Sequence, residues 1–359
     1  MKRIGFHDRD REIKEIKSIL EREPSLITFI YGSINSGKTE LINHLVKQLP
    51  QDYVVFYVNL RGKFITEYKD FVRALFKIER GKEKKELLRK VSEVSVKALK
   101  FMGIPITEDI VDLLFKERIY EDVFEFLEDY FTEIAENKNP VLIVDELQVI
   151  RDVKVDELLI YKLFNFFVRL TKELHLCHVF AVSSDSLFIE KIYSDAMLQG
   201  RCRYLLIDDF DYKNTMDFLE KHGFSDREKE DAWYYCCGKP VYLVELINHK
   251  SGGGNVKEKA EEFLKVRITQ LRDVLDELNY VKPAIEIAGE IQMVEKEKVL
   301  EILKLFMEKE SVDFELHRPA KHFLVKKNIL FVDPILGEVR PQSRLDLLAI
   351  REVVCERGR

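Results

Sequence analysis

The chain has little cysteine and no arrangement that would use it. Five cysteines (Cys177, Cys202, Cys236, Cys237 and Cys355) are an odd number at no metal-ligand spacing. This argues against a disulfide scaffold or zinc module and leads us to expect reduced thiols in a cytoplasmic protein. The cluster His175-Leu176-Cys177-His178 lacks a second pair of ligands and stands at the entrance to an apolar run, so packing is its better reading. Long hydrophobic runs are missing as well. No uncharged stretch approaches the ~18 residues that cross a bilayer, and the amino terminus MKRIGFHDRD has no apolar signal core. Neither membrane insertion nor export is expected. An excess of positive charge is also absent: the net charge of -6 argues against overall affinity for nucleic acid or lipid, so any such surface must be local.

What the chain does have is apolar content of 46% in 359 residues, enough for two or three domains around a large core. It also has one stretch of strong signal. Gly32 to Thr39 (GSINSGKT) fits G-x-x-x-x-G-K-[ST], the phosphate-binding P-loop. Leu26 to Tyr31 ahead of it reads as a buried strand. Leu41, Ile42, Leu45, Val46 and Leu49 after it form a helical stripe closed by Pro50. Gly32 and Gly37 permit the backbone turns and close approach that let the N–H groups around Asn35 and Ser36 face phosphate oxygens. Lys38 adds a positive charge on the β/γ side, and Thr39 offers a hydroxyl to Mg²⁺. ATP/ADP and Mg²⁺ are therefore the expected ligands.

A second landmark is Val141-Leu142-Ile143-Val144-Asp145-Glu146, four apolar residues of a parallel strand with two carboxylates at its C-terminal end, where ligands of open α/β sheets sit. Asp145 is placed to hold Mg²⁺ through water, and Glu146 to orient and deprotonate an attacking water. Val179 to Ser184 is another buried strand, whose terminal Ser183 or Ser184 is a candidate contact to the γ-phosphate or the water. Arg201 or Arg203, before the strand Tyr204 to Ile207, is a candidate arginine finger for its own site or a neighbour's; the competing reading is an ion pair with Asp208 or Asp209.

These landmarks predict an α/β P-loop NTPase with a parallel sheet, a helical lid and a C-terminal winged helix. We expect a P-loop domain over 1–207 with a helical insertion near 79–139, broken at Gly103-Ile104-Pro105; a helical lid over 208–278; and a winged-helix domain over 279–359. A helix started by Asp8 or Asp10 precedes the P-loop strand, and the charged run Lys82 to Lys90 reads as a solvated helix face. Ser251 to Asn255 is the best candidate for a surface loop or hinge.

The order of landmarks resembles the archaeal ATPases of the STAND class, relatives of the AAA+ and replication-initiation ATPases. Phe6-His7-Asp8-Arg9 with Glu12 resembles the family's N-terminal box, which implies that Arg9 lies near the adenine. Gly200-Arg201 resembles its glycine-arginine element. Gly238-Lys239-Pro240 resembles its G-x-P signature, which implies that Pro240 packs on adenine. Arg318 to Ser343 resembles the closing winged helix. No arginine stands near Gly238-Lys239-Pro240 to act as a second sensor; Lys239 is the cation there. The resemblance implies a slow, Mg²⁺-dependent ATPase in which nucleotide state sets the position of lid and winged helix, working with an unidentified protein partner. The alternative is an ATP-controlled DNA-binding protein of replication-initiator type, in which Lys321, Lys326, Lys327, Arg340 and Arg344 would contact phosphates. From His317 onward nine Lys/Arg stand against five Asp/Glu, a small basic excess that favours intramolecular packing.

Overall fold

The computed structural model describes residues 4–66, 68–79, 98–107, 123–152, 158–287 and 290–357. Its centre is a six-stranded parallel sheet of β1 (Ile27–Tyr31), β2 (Tyr53–Asn59), β4 (Leu99–Met102), β6 (Asn139–Asp145), β7 (His178–Ser183) and β8 (Cys202–Leu206), in the order β4-β2-β6-β7-β1-β8. The central strands read as unbroken apolar runs because both faces are covered. Within β1, Phe29 faces one core with Leu142, Val144 and the helices Val123–Ala135 and Leu158–Val168, while Ile30 faces the other with Ile16, Leu41 and Val182. The alternation is the period-2 pleat of a strand expressed in a two-sided environment.

Register, more than any one element, positions the site. Asp145 lies level with Val182, and Ser183 level with Tyr31, so the C-terminal ends of β6, β7 and β1 come out side by side. That end of the sheet carries the P-loop.

Beyond β8, the helices Tyr212–Lys221, Asp226–Cys236 and Pro240–Ser251 enclose a small core of Phe218, Leu219, Ala232, Leu243 and Leu246. The next helix, Val256–Glu277, is 22 residues and about 33 Å long. Val256 and Ala260 at its start belong to the lid core, whereas Ile268, Leu271 and Leu275 belong to the C-terminal core, so one rigid element ties the two together. In the C-terminal unit, the helices Lys296–Leu305, Arg318–Lys326 and Arg344–Arg357 pack with an antiparallel sheet of β11 (Val312–Asp313), β13 (Glu338–Pro341) and β12 (Leu330–Asp333).

Two expectations need correction. The segment around Gly103 is extended: β4 and β5 (Ile104–Thr107) flank Gly103, whose φ is 88°, and β5 pairs in parallel with β3 (Phe76–Glu79). Short runs such as LKFM and IPIT are too brief for periodicity to separate helix from strand, and pairing of the first with β2 and of the second with β3 decides the matter. Of the expected 79–139 insertion, Val123–Ala135 is helical, while 80–97 (with Lys82 to Lys90) and 108–122 lie outside the described residues. The C-terminal region, whose sequence from Val281 reads as several helices ahead of the strands near Ile329, opens instead with a hairpin of β9 (Ala284–Ile287) and β10 (Glu290–Met293). The helix ahead of the P-loop strand, Asp10–Leu20, starts at Asp10, one of the two expected positions, with Arg9 in a left-handed conformation at its cap. Among the described residues no helix is long and apolar enough to cross a membrane.

Candidate nucleotide site

The P-loop closes on itself through its lysine. Gly32 has φ of 155°, and a Cβ there would meet the Ile207 carbonyl oxygen at 2.1 Å, so no other residue fits this turn. Gly37, with φ of 92°, starts the helix Lys38–Val46. The Lys38 ammonium donates to the carbonyls of Gly32 (3.0 Å) and Ser33 (2.9 Å) and to the Ser36 hydroxyl (3.4 Å). A buried cation satisfied by neutral oxygens is poised for a better acceptor, and a phosphate oxygen is one. Burial, and next the charge of Lys239, lower the Lys38 pKa from its usual 10.5 to about 8, against the opposing pull of Glu146, Asp145 and Asp209.

That shift fixes a sign. Phosphates favour the ammonium and raise its pKa, so above about pH 8 nucleotide binding must bring in a proton, and affinity falls as pH rises further. Titration calorimetry near pH 9, between the depressed and ordinary lysine values, in buffers of differing ionisation heat should show net proton uptake. Heats independent of the buffer would contradict it.

Asp145, at the end of β6, is buried and held by neutral donors. Its Oδ2 accepts from the Thr39 hydroxyl (3.2 Å) and the Tyr57 hydroxyl (2.5 Å), and its Oδ1 accepts from the Glu146 N–H (2.9 Å). Burial first, and then the hydrogen bond to Asp145, raise the Tyr57 pKa far above the usual phenol value, so Tyr57 remains a donor. A buried carboxylate facing the P-loop threonine is a donor set suited to a divalent cation coordinated by oxygen, and the residues fit Mg²⁺.

Glu146 turns out of the strand with φ of 61°, a strained conformation for a non-glycine residue. Its carboxylate is paired with the exposed Arg61 and accepts at 2.6 Å from the Gln148 side chain. The Gln148 carbonyl in turn accepts from the Ser183 hydroxyl at 2.9 Å. A hydrogen-bonded chain thus runs from Ser183 through Gln148 to Glu146. Ser184 instead lines a cavity of about 210 Å³ at the junction with the C-terminal unit.

Arg9, also buried, donates to the Ser36 carbonyl (2.8 Å) and to Glu12 (2.9 Å), and its guanidinium lies 4.7 Å from the Phe210 ring centre. Its neighbours Phe6 and His7 stack on His44 and Phe218. Pro240 starts the helix Pro240–Ser251 directly after Lys239. A Cβ on Gly238 would overlap the Phe210 carbonyl oxygen at 1.7 Å; only glycine lets this turn reach the strand exit. The structure therefore gathers Arg9, the P-loop, Asp145, Glu146, Ser183 and the start of the Pro240 helix at one end of the sheet.

Arg201 is not brought there. Its carbonyl accepts from the N–H of Ile27, at the N-terminal edge of β1, with the whole five-residue strand, roughly 16 Å, between that point and the loop. A role at its own chain's phosphates is ruled out by this distance. The alternative pairing partners are also engaged elsewhere: Asp208 bonds Arg340 (2.6 Å) and Asp209 bonds Lys239 (3.3 Å).

Sequence reasoning missed Tyr57, Arg61 and Gln148. Only Gln148 carried a signal, as the polar residue two positions beyond Glu146; the other two arrive from β2 and the loop after it through sheet pairing. At the decoy cluster, Cys177 and His178 are both buried; burial pushes the Cys177 thiol well up and lowers His178 to about 4, as expected of packed, neutral groups.

A strand–loop–helix P-loop, with an acidic pair on the next strand but one and a hydroxyl between, defines a P-loop NTPase. A family model described as an ATPase domain predominantly from Archaea matches residues 6–246, and one described as the C-terminal domain of an uncharacterized MJ1010-like ATP-binding protein matches residues 257–354. The chain belongs to this archaeal ATPase family and is an ATP-binding protein. An uncharacterized ATP-binding protein of Methanocaldococcus jannaschii is 44% identical, with 98% of this chain and 98% of the relative covered. One of Pyrococcus abyssi is 43% identical, over 97% of this chain and 98% of its own. Among solved structures, a Walker-type ATPase of Pyrococcus abyssi superposes with a TM-score of 0.65 at 15% identity, covering 98% of this chain and 97% of that one. The ORC2 protein of Aeropyrum pernix, in ADPNP–ADP complexes, superposes with a TM-score of 0.51 at 14% identity, covering 99% and 95%. At these identities the likeness concerns fold.

Proposed function

We propose that the chain is a Mg²⁺-dependent ATPase acting as a molecular switch, in which nucleotide state sets whether the lid and a C-terminal winged helix stay docked on the P-loop domain. The observation that carries this reading is that the C-terminal unit touches the P-loop itself: the Gln342 side-chain oxygen accepts from the Ile34 N–H at 3.3 Å. Around that contact, Asp333 accepts from the hydroxyl of Tyr31 (3.0 Å), the last residue of β1. The buried pair Lys321–Glu190 (3.0 Å) and the pair Arg340–Asp208 (2.6 Å) complete the docking, and Leu187 packs into the C-terminal core. The 210 Å³ cavity at this junction is smaller than the ~300 Å³ at which ligand sites usually begin, so the docked form leaves little room beside the loop.

In the chemistry we propose, Lys38 and the loop N–H groups hold the phosphates, Thr39 and Asp145 hold the metal, and Glu146, freed from Arg61, orients the water and takes its proton. Mg²⁺, when bound, neutralises phosphate charge. Gln148 and Ser183 position Glu146. Arg9 and Pro240 flank the base.

The same contacts weigh against the DNA-binding alternative. Lys321 and Arg340 are spent on docking, while Lys327 pairs with Glu277 and Arg344 with Glu310. The test is small-angle scattering with ADP and with ATP, beside titration of fluorescent duplex DNA at ~100 mM salt. We expect a nucleotide-dependent radius of gyration and no DNA binding beyond the ~10⁻⁴ to 10⁻⁶ M of non-specific contacts. Tighter, steeply salt-dependent DNA binding with an unchanged radius would replace the switch by the initiator reading.

A further inference from the structure

Lys239 makes contacts that phosphate binding alone does not require. Almost fully buried, its ammonium donates to the Ser33 hydroxyl (2.6 Å) and the Gln342 carbonyl (2.9 Å) and lies 3.3 Å from the Asp209 carboxylate. Three donors are thus spent on the P-loop, the C-terminal unit and the exit of β8. Gln342 is held at three points in return. Its side-chain oxygen takes the Ile34 N–H, its carbonyl takes Lys239, and its amide donates to the Leu330 carbonyl at 3.2 Å.

Two buried ammonium groups, Lys38 and Lys239, therefore flank one short loop, the first satisfied by neutral oxygens and the second by two neutral oxygens and the Asp209 carboxylate. Their mutual repulsion is relieved by a polyanion. Gln342 occupies one loop N–H and one of these cations with amide oxygens, which are weaker acceptors than phosphate oxygens by about a factor of two.

We infer that Lys239 and Gln342 form a latch opened by competition: the phosphate chain of the nucleotide takes Lys239 and the Ile34 N–H from Gln342, and loss of both contacts frees the C-terminal unit. Lys239 then serves as the lid's phosphate-responsive cation, at a position where no arginine is present. This rests on the switch reading above and adds the residues that link ligand to motion.

The latch predicts effects of opposite sign from its two halves. Lys239→Met should weaken ATP binding by about tenfold or more, the loss expected for a charge-assisted hydrogen bond. Gln342→Ala removes the side-chain oxygen that competes for the Ile34 N–H, while the backbone carbonyl facing Lys239 stays, and should tighten ATP binding by roughly threefold to tenfold, an ordinary hydrogen bond's worth. Because Lys239→Met leaves the half-buried Asp209 carboxylate without its ammonium partner, the double variant Lys239→Met/Asp209→Asn is measured beside it and should show the same weakening. Affinities for ATP and ADP come from titration of labelled nucleotide, and the radius of gyration from scattering of each variant with ATP. Gln342→Ala should reach the open radius at lower ATP than wild type. Equal or weaker binding by Gln342→Ala, or wild-type binding by the double variant, would overturn the latch. If wild type opens with ATP while both variants bind as it does, the switch stands and the latch falls. If wild type does not open but the two affinities move in opposite directions, the competition stands and the switch falls.

Discussion

Glu146→Gln is expected to bind Mg·ATP like wild type and to hydrolyse it about 10²- to 10⁴-fold more slowly, the usual contribution of a general base. Glutamine keeps the shape of the side chain and its contact with Gln148, so the strained turn after Asp145 is preserved; what it loses is the ability to take a proton from water. Lys38→Ala should behave oppositely. The ammonium that now bridges the carbonyls of Gly32 and Ser33 is the loop's own charge, and its removal should cost roughly tenfold to a hundredfold in nucleotide affinity. Equilibrium binding of labelled nucleotide and phosphate release in single turnover separate the two variants. Wild-type phosphate release by Glu146→Gln would remove it as the base and leave an ATP-binding protein without this hydrolytic route.

Arg201→Ala gives the largest expected effect that requires more than one chain. The arginine stands at the N-terminal edge of the sheet, so we propose that it serves a neighbouring copy's γ-phosphate. Arginine fingers contribute ~10³ to 10⁵ in rate. Turnover per chain should therefore rise with chain concentration, and Arg201→Ala should lose about 10³ or more of the rate at the high-concentration end while binding ADP unchanged. Mixing it with Lys38→Ala chains, at nucleotide concentrations too low to fill their weakened site, should restore activity because those chains retain Arg201. A rate within about threefold of wild type at every concentration would return Arg201 to a purely structural position beside Ile27.

Local pattern carried the chemistry and lost the wiring. Gly32 to Thr39 could be read because the loop's function is written in contiguous residues whose backbone must turn sharply and approach phosphate closely. Asp145-Glu146 was readable because four apolar residues in a row announce a parallel strand, and the end of such a strand is where a ligand sits. Arg61, Tyr57 and Gln148 were invisible or nearly so because their partners come from other strands, through a register that no local period encodes.

The sequence by itself determined the α/β class, the loop, the acidic pair and the helical lid, since each depends on spacing within one or two turns of chain. Only the tertiary structure decided three further points. The order β6-β7-β1 places Ser183 between acid and loop, and the parallel pairing of β1 with β8 sends Arg201 to the far edge. The C-terminal unit lies against the P-loop, so that Gln342, more than three hundred residues downstream, accepts from Ile34. Such contacts arise from burial of apolar surface shared between distant segments, Leu187 among C-terminal residues and Phe331 among those of the sheet, and that sharing is a property of the packed chain.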